Sequence, residues 1–230
     1  MKNRLIKGAH LSEKKCREIL QLFCEDLTAT QIANICGVSR VTVNNYLKLI
    51  RTHIAKFCEE NNPKRIQNGY LIYIPLESRN GRNGDQVHEN HNLRIYYGFV
   101  RHEEKIFTDW LEDLNKNSLQ QLQRARLGTD GTDTIPDHLA RYYAIADFSD
   151  WRLYRLDTRE TISSTRPVFD DISGFWGHTK SRLLKFRGLN KNTLYLHVKE
   201  CEFRYNFRNE DLLGILMNII DKKPPLALRQ

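Results

Sequence analysis

The stretch from Ile172 to Arg208, ISGFWGHTKSRLLKFRGLNKNTLYLHVKECEFRYNFR, constrains this chain more than any other. It reads as two helices joined at Gly188-Leu189-Asn190. The first carries Phe175, Trp176, Leu183, Leu184 and Phe186, with Lys180, Arg182, Lys185 and Arg187 interleaved. The second repeats Leu194, Leu196, Val198, Cys201, Phe203 and Tyr205 near helical spacing. On that pattern alone, Lys199, Glu200, Glu202 and Arg204 belong to an opposite, solvated face.

A second constraint lies near the N-terminus. Ser12 can cap a helix running to Asp26, with Cys16, Ile19, Leu20, Leu22 and Phe23 as its buried stripe. Leu27 to Ile50 then follows the helix-turn-helix pattern. Ile32 and Ala33 sit on a short helix, and alanine is small where two helices cross. Gly37 permits the positive φ of a turn, and Ser39 can cap the next helix. Val38, Val43, Tyr46 and Leu47 point inward. Ser39, Arg40, Thr42, Asn44, Asn45 and Lys48 then face outward. Asn can pair bidentately with adenine and Arg with guanine, while Lys48 and Arg51 suit phosphate. The helix is expected to continue through Ile54 and Phe57, ending at Asn61-Asn62-Pro63.

The formal charge of +8 over 230 residues favours an anionic partner, with nucleic acid first and an acidic membrane surface second. No apolar run approaches the ~20 residues that cross a bilayer. The opening MKNRLIKGAHLSEKK lacks the apolar core of a signal peptide, so a cytoplasmic location is expected. The cysteines, Cys16, Cys24, Cys36, Cys58 and Cys201, form no CxxC pair and are odd in number. They read as reduced, structural side chains.

From Gly69 the periodicity changes. Residues 70–74, 93–100 and 105–108 are rich in aromatic and β-branched side chains and read as strands, with 101–104 as a hairpin turn. A helix at 118–127, a short strand at 132–135, a helix from Asp137 to Ala146 and a strand near 152–156 follow. The order predicts a mixed α/β domain. The polar loop 78–92 carries Arg79 and Arg82, and its His88 and His91 read as solvated residues rather than a metal pair.

The runs Phe175-Trp176…Lys180…Leu184-Lys185-Phe186-Arg187-Gly188-Leu189 and Lys199-Glu200-Cys201-Glu202-Phe203-Arg204-Tyr205-Asn206 resemble the end of small bacterial insertion-sequence transposases. The resembled group is the ISXO-type, or fifteen-ninety-five group, whose catalytic domain is of the DDE class. The resemblance implies three parts: a helix-turn-helix module over 1–62, a ribonuclease-H-like mixed-sheet domain over 63–210 ending in the helix pair, and a C-terminal helix and tail over 211–230. It further implies that Arg79, Arg82 and Lys180 lie against DNA.

DDE enzymes hold two divalent ions, Mg²⁺ by preference, between three carboxylates. The resemblance places the first carboxylate at position 76, where this chain has Leu76 with Glu77 beside it. Successive strand side chains face opposite sides, so Glu77 substitutes only across a bulge. The second falls on Asp137, the expected metal ligand, with Asp133 and Asp150 as alternatives. The third should precede Trp176 by three residues, and Ser173 stands there. Asp170 or Asp171 can supply a ligand from the preceding turn, or can cap the helix and complement its dipole.

Three readings follow. The first is a DNA-binding protein of an insertion sequence that recognises element ends and whose catalysis is impaired. The second is an active transposase using Glu77, Asp137 and Asp170 or Asp171 with Mg²⁺. The third is an interaction module that inhibits a related transposase. Double-stranded DNA and a second copy of the chain are the expected partners, the apolar run 212–220 being one candidate contact and a buried helix its other reading.

Overall fold

The computed structural model describes residues 5–6, 9–63, 95–112, 114–115, 117–120, 139, 141–156, 170–186 and 191–222. Among them the fold is mixed α/β, with α-helices and a four-stranded antiparallel sheet. The elements run α1 (Glu13–Cys24), α2 (Ala29–Cys36), α3 (Arg40–Glu60), β1 (Tyr96–His102), β2 (Lys105–Leu111), β3 (Ala144–Asp147), β4 (Arg152–Arg155), α4 (Asp171–Leu183), α5 (Lys191–Asn206) and α6 (Leu212–Lys222). The chain divides into two compact units. One holds 1–60, 101–108 and 167–230, and the other holds 61–100 and 109–166.

Local chemistry sets the helix ends of the first unit. Ser12 accepts a hydrogen bond from the Lys15 N–H at 3.3 Å and starts α1. Thr28 and Gln31 form a reciprocal capping box at the start of α2. Cys16, Ile19, Leu20 and Phe23 of α1 are buried with Ile32, Ala33 and Cys36 of α2 and the i, i+3, i+4 series Val43, Tyr46, Leu47, Ile50, Ile54 and Cys58 of α3. The run 212–220 belongs to this core: Leu216 and Ile220 of α6 are buried, and α6 packs on α1 and α3. The five cysteines are free thiols. Burial pushes Cys24 up to about 11 and Cys201 to about 12, so both stay protonated and inert at neutral pH.

α5 departs from the sequence expectation. Lys199, Glu200, Glu202 and Arg204 do not form a solvated face; all four are buried. The period of the apolar residues is genuine, but α5 is covered by α3 and α4. Its charges are therefore neutralised inside the unit. Glu200 Oε2 accepts from Arg51 Nε at 2.7 Å, and Oε1 accepts from Arg204 Nε at 2.8 Å and from Arg182. Arg182 also pairs with Asp26. Arg204 reaches the Cys24 carbonyl at 3.1 Å and the Phe23 carbonyl, closing the C-terminus of α1, while Asp26 turns the chain there with φ 65°.

One turn away, the same helix satisfies the backbone of β2. Asn206 pairs with both backbone groups of Ile106, at 2.9 and 2.7 Å. Glu202 accepts from the Thr108 N–H and hydroxyl at 3.0 and 2.6 Å, and Lys199 donates to the Thr108 carbonyl at 2.7 Å. Lys199 also reaches Glu59 and Glu202, at 2.9 and 3.0 Å. Those two carboxylates hold Lys199 charged, well above its usual range, whereas burial pushes Glu202 upward. An edge strand otherwise presents unpaired backbone groups, and here side chains of α5 take them.

In the sheet the strand order is β2-β1-β3-β4. β1 pairs antiparallel with β3 (Tyr96 opposite Asp147, Phe99 opposite Ala144), and β3 pairs antiparallel with β4. Gly98 is required in β1, because a Cβ there would stand 2.4 Å from the Tyr142 ring. β1 and β2 meet at a tight turn in which Glu103 takes φ 53°. The expected helix from Asp137 to Ala146 is corrected at its end, since Ala144 to Asp147 form β3. Ala144, Ile145 and Ala146 are fully buried, and strand partners on both sides outweigh alanine's helix propensity. The strands expected at 70–74 and 132–135 lie outside the described residues.

Removing the charge at the centre should be costly. Glu200→Ala is expected to lower stability by about 3–5 kcal/mol, because it leaves three guanidinium groups facing one another without their carboxylate; a urea midpoint close to wild type would contradict this. His197 generates a pH dependence. Burial and the nearby Arg51 lower it to about 4, with Glu200 and Arg182 also facing it and the Phe186 ring at 4.6 Å. The unfolded chain then binds a proton near pH 6.5 that the folded chain refuses until about pH 4. Stability should be full above pH 6.5 and fall by about 3 kcal/mol towards pH 4, a slope that His197→Phe should reduce in urea titrations.

Candidate nucleic-acid interface

The α2–α3 corner is set by two adjacent residues. Gly37 ends α2 with φ 64°, a left-handed conformation in which nothing crowds the Cα, so its demand is purely conformational. Ser39 Oγ then accepts the Thr42 N–H at 3.0 Å and contacts the Thr42 hydroxyl at 2.8 Å, capping α3. With Val43, Tyr46, Leu47 and Ile50 in the core, the rotation of α3 is fixed.

That rotation leaves Arg40, Asn44 and Lys48 exposed, four residues apart along one helical face. Asn45 and Thr42 are half-exposed, and Thr42 is already engaged by the cap. Two apolar side chains are also exposed here, Ile35 at 55% and Val41 at 68%. The sequence reading did not single them out. The signal was available, since residues rotate about 100° per step and Val41 falls between Lys48 and Asn45 on the outward face. Arg51 is a correction: expected at phosphate, it is turned inward onto Glu200, because its helical position faces α5.

The second group of expected residues surrounds α4. Asp170 caps this helix, its Oδ1 accepting the Ser173 N–H at 2.9 Å. Asp171 lies in the first turn, and its carbonyl accepts from the Tyr205 hydroxyl at 3.1 Å. Phe175 packs edge-on against the Tyr205 ring at 5.4 Å. Lys180 is half-buried, and Arg182 is committed to Asp26 and Glu200. Glu77, Arg79, Arg82 and Asp137 lie outside the described residues. Among the described residues no three His, Cys, Asp or Glu side chains converge as a metal-holding group, and no helix is long and apolar enough to cross a membrane.

Over 105 residues the chain is 29% identical to an uncharacterized transposase-like protein of Haemophilus influenzae. The match covers 44% of this chain and 81% of that protein. That likeness supports a transposase family. No family model matches, and no solved structure matches.

The corner is open to a direct check. Gly37→Ala should destabilise the protein by about 1 kcal/mol, the cost of a left-handed residue with a Cβ, measured as a shift in urea midpoint. An unchanged midpoint would mean that the corner relaxes to another conformation.

Proposed function

We propose that this chain is a DNA-binding protein of insertion-sequence ancestry, gripping duplex DNA through a helix-turn-helix formed by α2, Gly37 and α3. The observation that carries this reading is the exposed series Arg40, Asn44 and Lys48 on a helix whose opposite face is core. A helix entering the major groove needs donors that reach base edges near its start and a cation that meets the backbone. Arg40 and Asn44 supply the first, and Lys48 the second. The net charge of +8 and the transposase-like relative support the same conclusion.

The natural target is the ends of a mobile element, and pairing two ends calls for two copies of the chain. The resemblance to DDE enzymes also implies a ribonuclease-H-like catalytic domain over 63–210 with a metal ligand at Asp137; Glu77 and Asp170 or Asp171 are the displaced carboxylates that an active enzyme would have to use. In our reading its catalysis is impaired. Ser173 stands at a carboxylate position and Leu76 at another, and Asp170 uses one carboxylate oxygen to cap α4. A two-ion centre needs three carboxylates aimed at one point, so these replacements support a protein that holds DNA without cutting it.

Fluorescence anisotropy with the full chain and labelled duplexes tests the proposal. Binding should weaken steeply with salt. The double variant Arg40→Ala, Lys48→Ala should lose roughly tenfold or more in affinity and show a shallower salt slope. No binding to any duplex at moderate salt would overturn the DNA reading. In the same samples, Mg²⁺ or Mn²⁺ should produce no nicking; cleavage abolished by Asp137→Ala would overturn the impaired half alone.

A further inference from the structure

We propose that Val41 is a specificity-determining residue of this interface, one that packs against the 5-methyl group of a thymine in the major groove. The inference rests on the DNA-binding reading above and deepens it. With about 100° of rotation per residue, Val41 lies roughly 180° from the mean direction of Val43, Tyr46, Leu47 and Ile50. It is thus the residue of the first turn of α3 that points most directly away from the core, and it is 68% exposed. Its neighbours on that arc are Arg40, Asn44, Asn45 and Lys48, each a hydrogen-bond donor.

Folding gains little from a valine here. A β-branched residue has lower helix propensity than alanine, and at this exposure it recovers little by burial. A ligand in the major groove would give it a role. In the major groove, thymine is the base that presents a methyl group, and apolar side chains read it by contact. The same base pair offers the adenine N6 and N7 edge, which suits Asn44. The surrounding positive charge fits a polyanion carrying small apolar patches better than it fits an apolar protein surface. An A·T pair within the contacted step is therefore the expected ligand.

The test uses the full chain and a pool of duplexes with a randomised centre. After enrichment, each thymine of the selected site is replaced singly by uracil, which keeps every hydrogen-bonding group and lacks only the methyl. One such replacement should weaken wild-type binding roughly fourfold, the loss expected for one buried methyl. Val41→Ala should lose a similar factor on the thymine duplex and be indifferent to that replacement. Its unfolding midpoint should not fall, which separates recognition from folding. Wild-type indifference to uracil at every position, a selected site without thymine, or an undiminished uracil penalty in Val41→Ala would each overturn the inference while leaving DNA binding intact. Failure to enrich any sequence, with no duplex bound at moderate salt, would overturn the DNA-binding reading and this inference with it.

Discussion

The carboxylate of Glu200 has no exposed surface, and three arginines reach it, Arg51 from α3, Arg182 from α4 and Arg204 from its own helix. Desolvating a carboxylate costs several kcal/mol, so the position is tolerable only because each oxygen accepts charge-assisted hydrogen bonds. The three cations hold Glu200 ionised, far below the usual carboxylate range. Arg182 and Arg204 in turn lie beside Asp26, at the end of α1. Helices α1, α3, α4 and α5 thereby converge on one small charged cluster whose members are far apart in the chain.

The geometry of the cluster also sets register. A hydrophobic stripe lets a helix slide or rotate by a few degrees at modest cost, whereas a guanidinium must meet its carboxylate within hydrogen-bonding distance. The same argument applies one turn along α5, where Lys199, Glu202 and Asn206 match the backbone groups of Thr108 and Ile106. Among the described residues no strand pairs with β2 on that side, and those side chains take its backbone groups there. The buried polar groups thus fix how α3 is seated against α5. The inner half of α3 is anchored by Arg51, and its first turns carry Arg40, Asn44 and Lys48 outward.

The exposed series on α3 was legible in the sequence because a core stripe fixes what remains outside. The corner was legible too, through Gly37 and Ser39. Near α4, Asp170 admitted both a ligand and a cap reading, and the structure gives its Oδ1 to the Ser173 N–H. Val41 and Arg51 were both missed. Val41 went unplaced because only polar residues were named on the outward face, and Arg51 was placed outside because it is charged, although its position on α3 faces α5. The strand at Ala144–Asp147 was missed because alanine and a short apolar run fit either helix or strand until partners are known.

What the sequence determined by itself was local: where helices begin and end. Ser12, Thr28 with Gln31, Gly37, Ser39 and Asp170 act on backbone groups about three residues away, so no knowledge of the rest of the chain is needed. What only the tertiary structure decided was the fate of charge on α5. Whether Lys199, Glu200, Glu202 and Arg204 meet water or one another depends on Arg51, Arg182, Asp26, Glu59 and Thr108 arriving from other elements. A helix with charges on every side carries no mark of its surroundings in its own spacing, because burial of an ion is set by its partners and not by its neighbours in sequence.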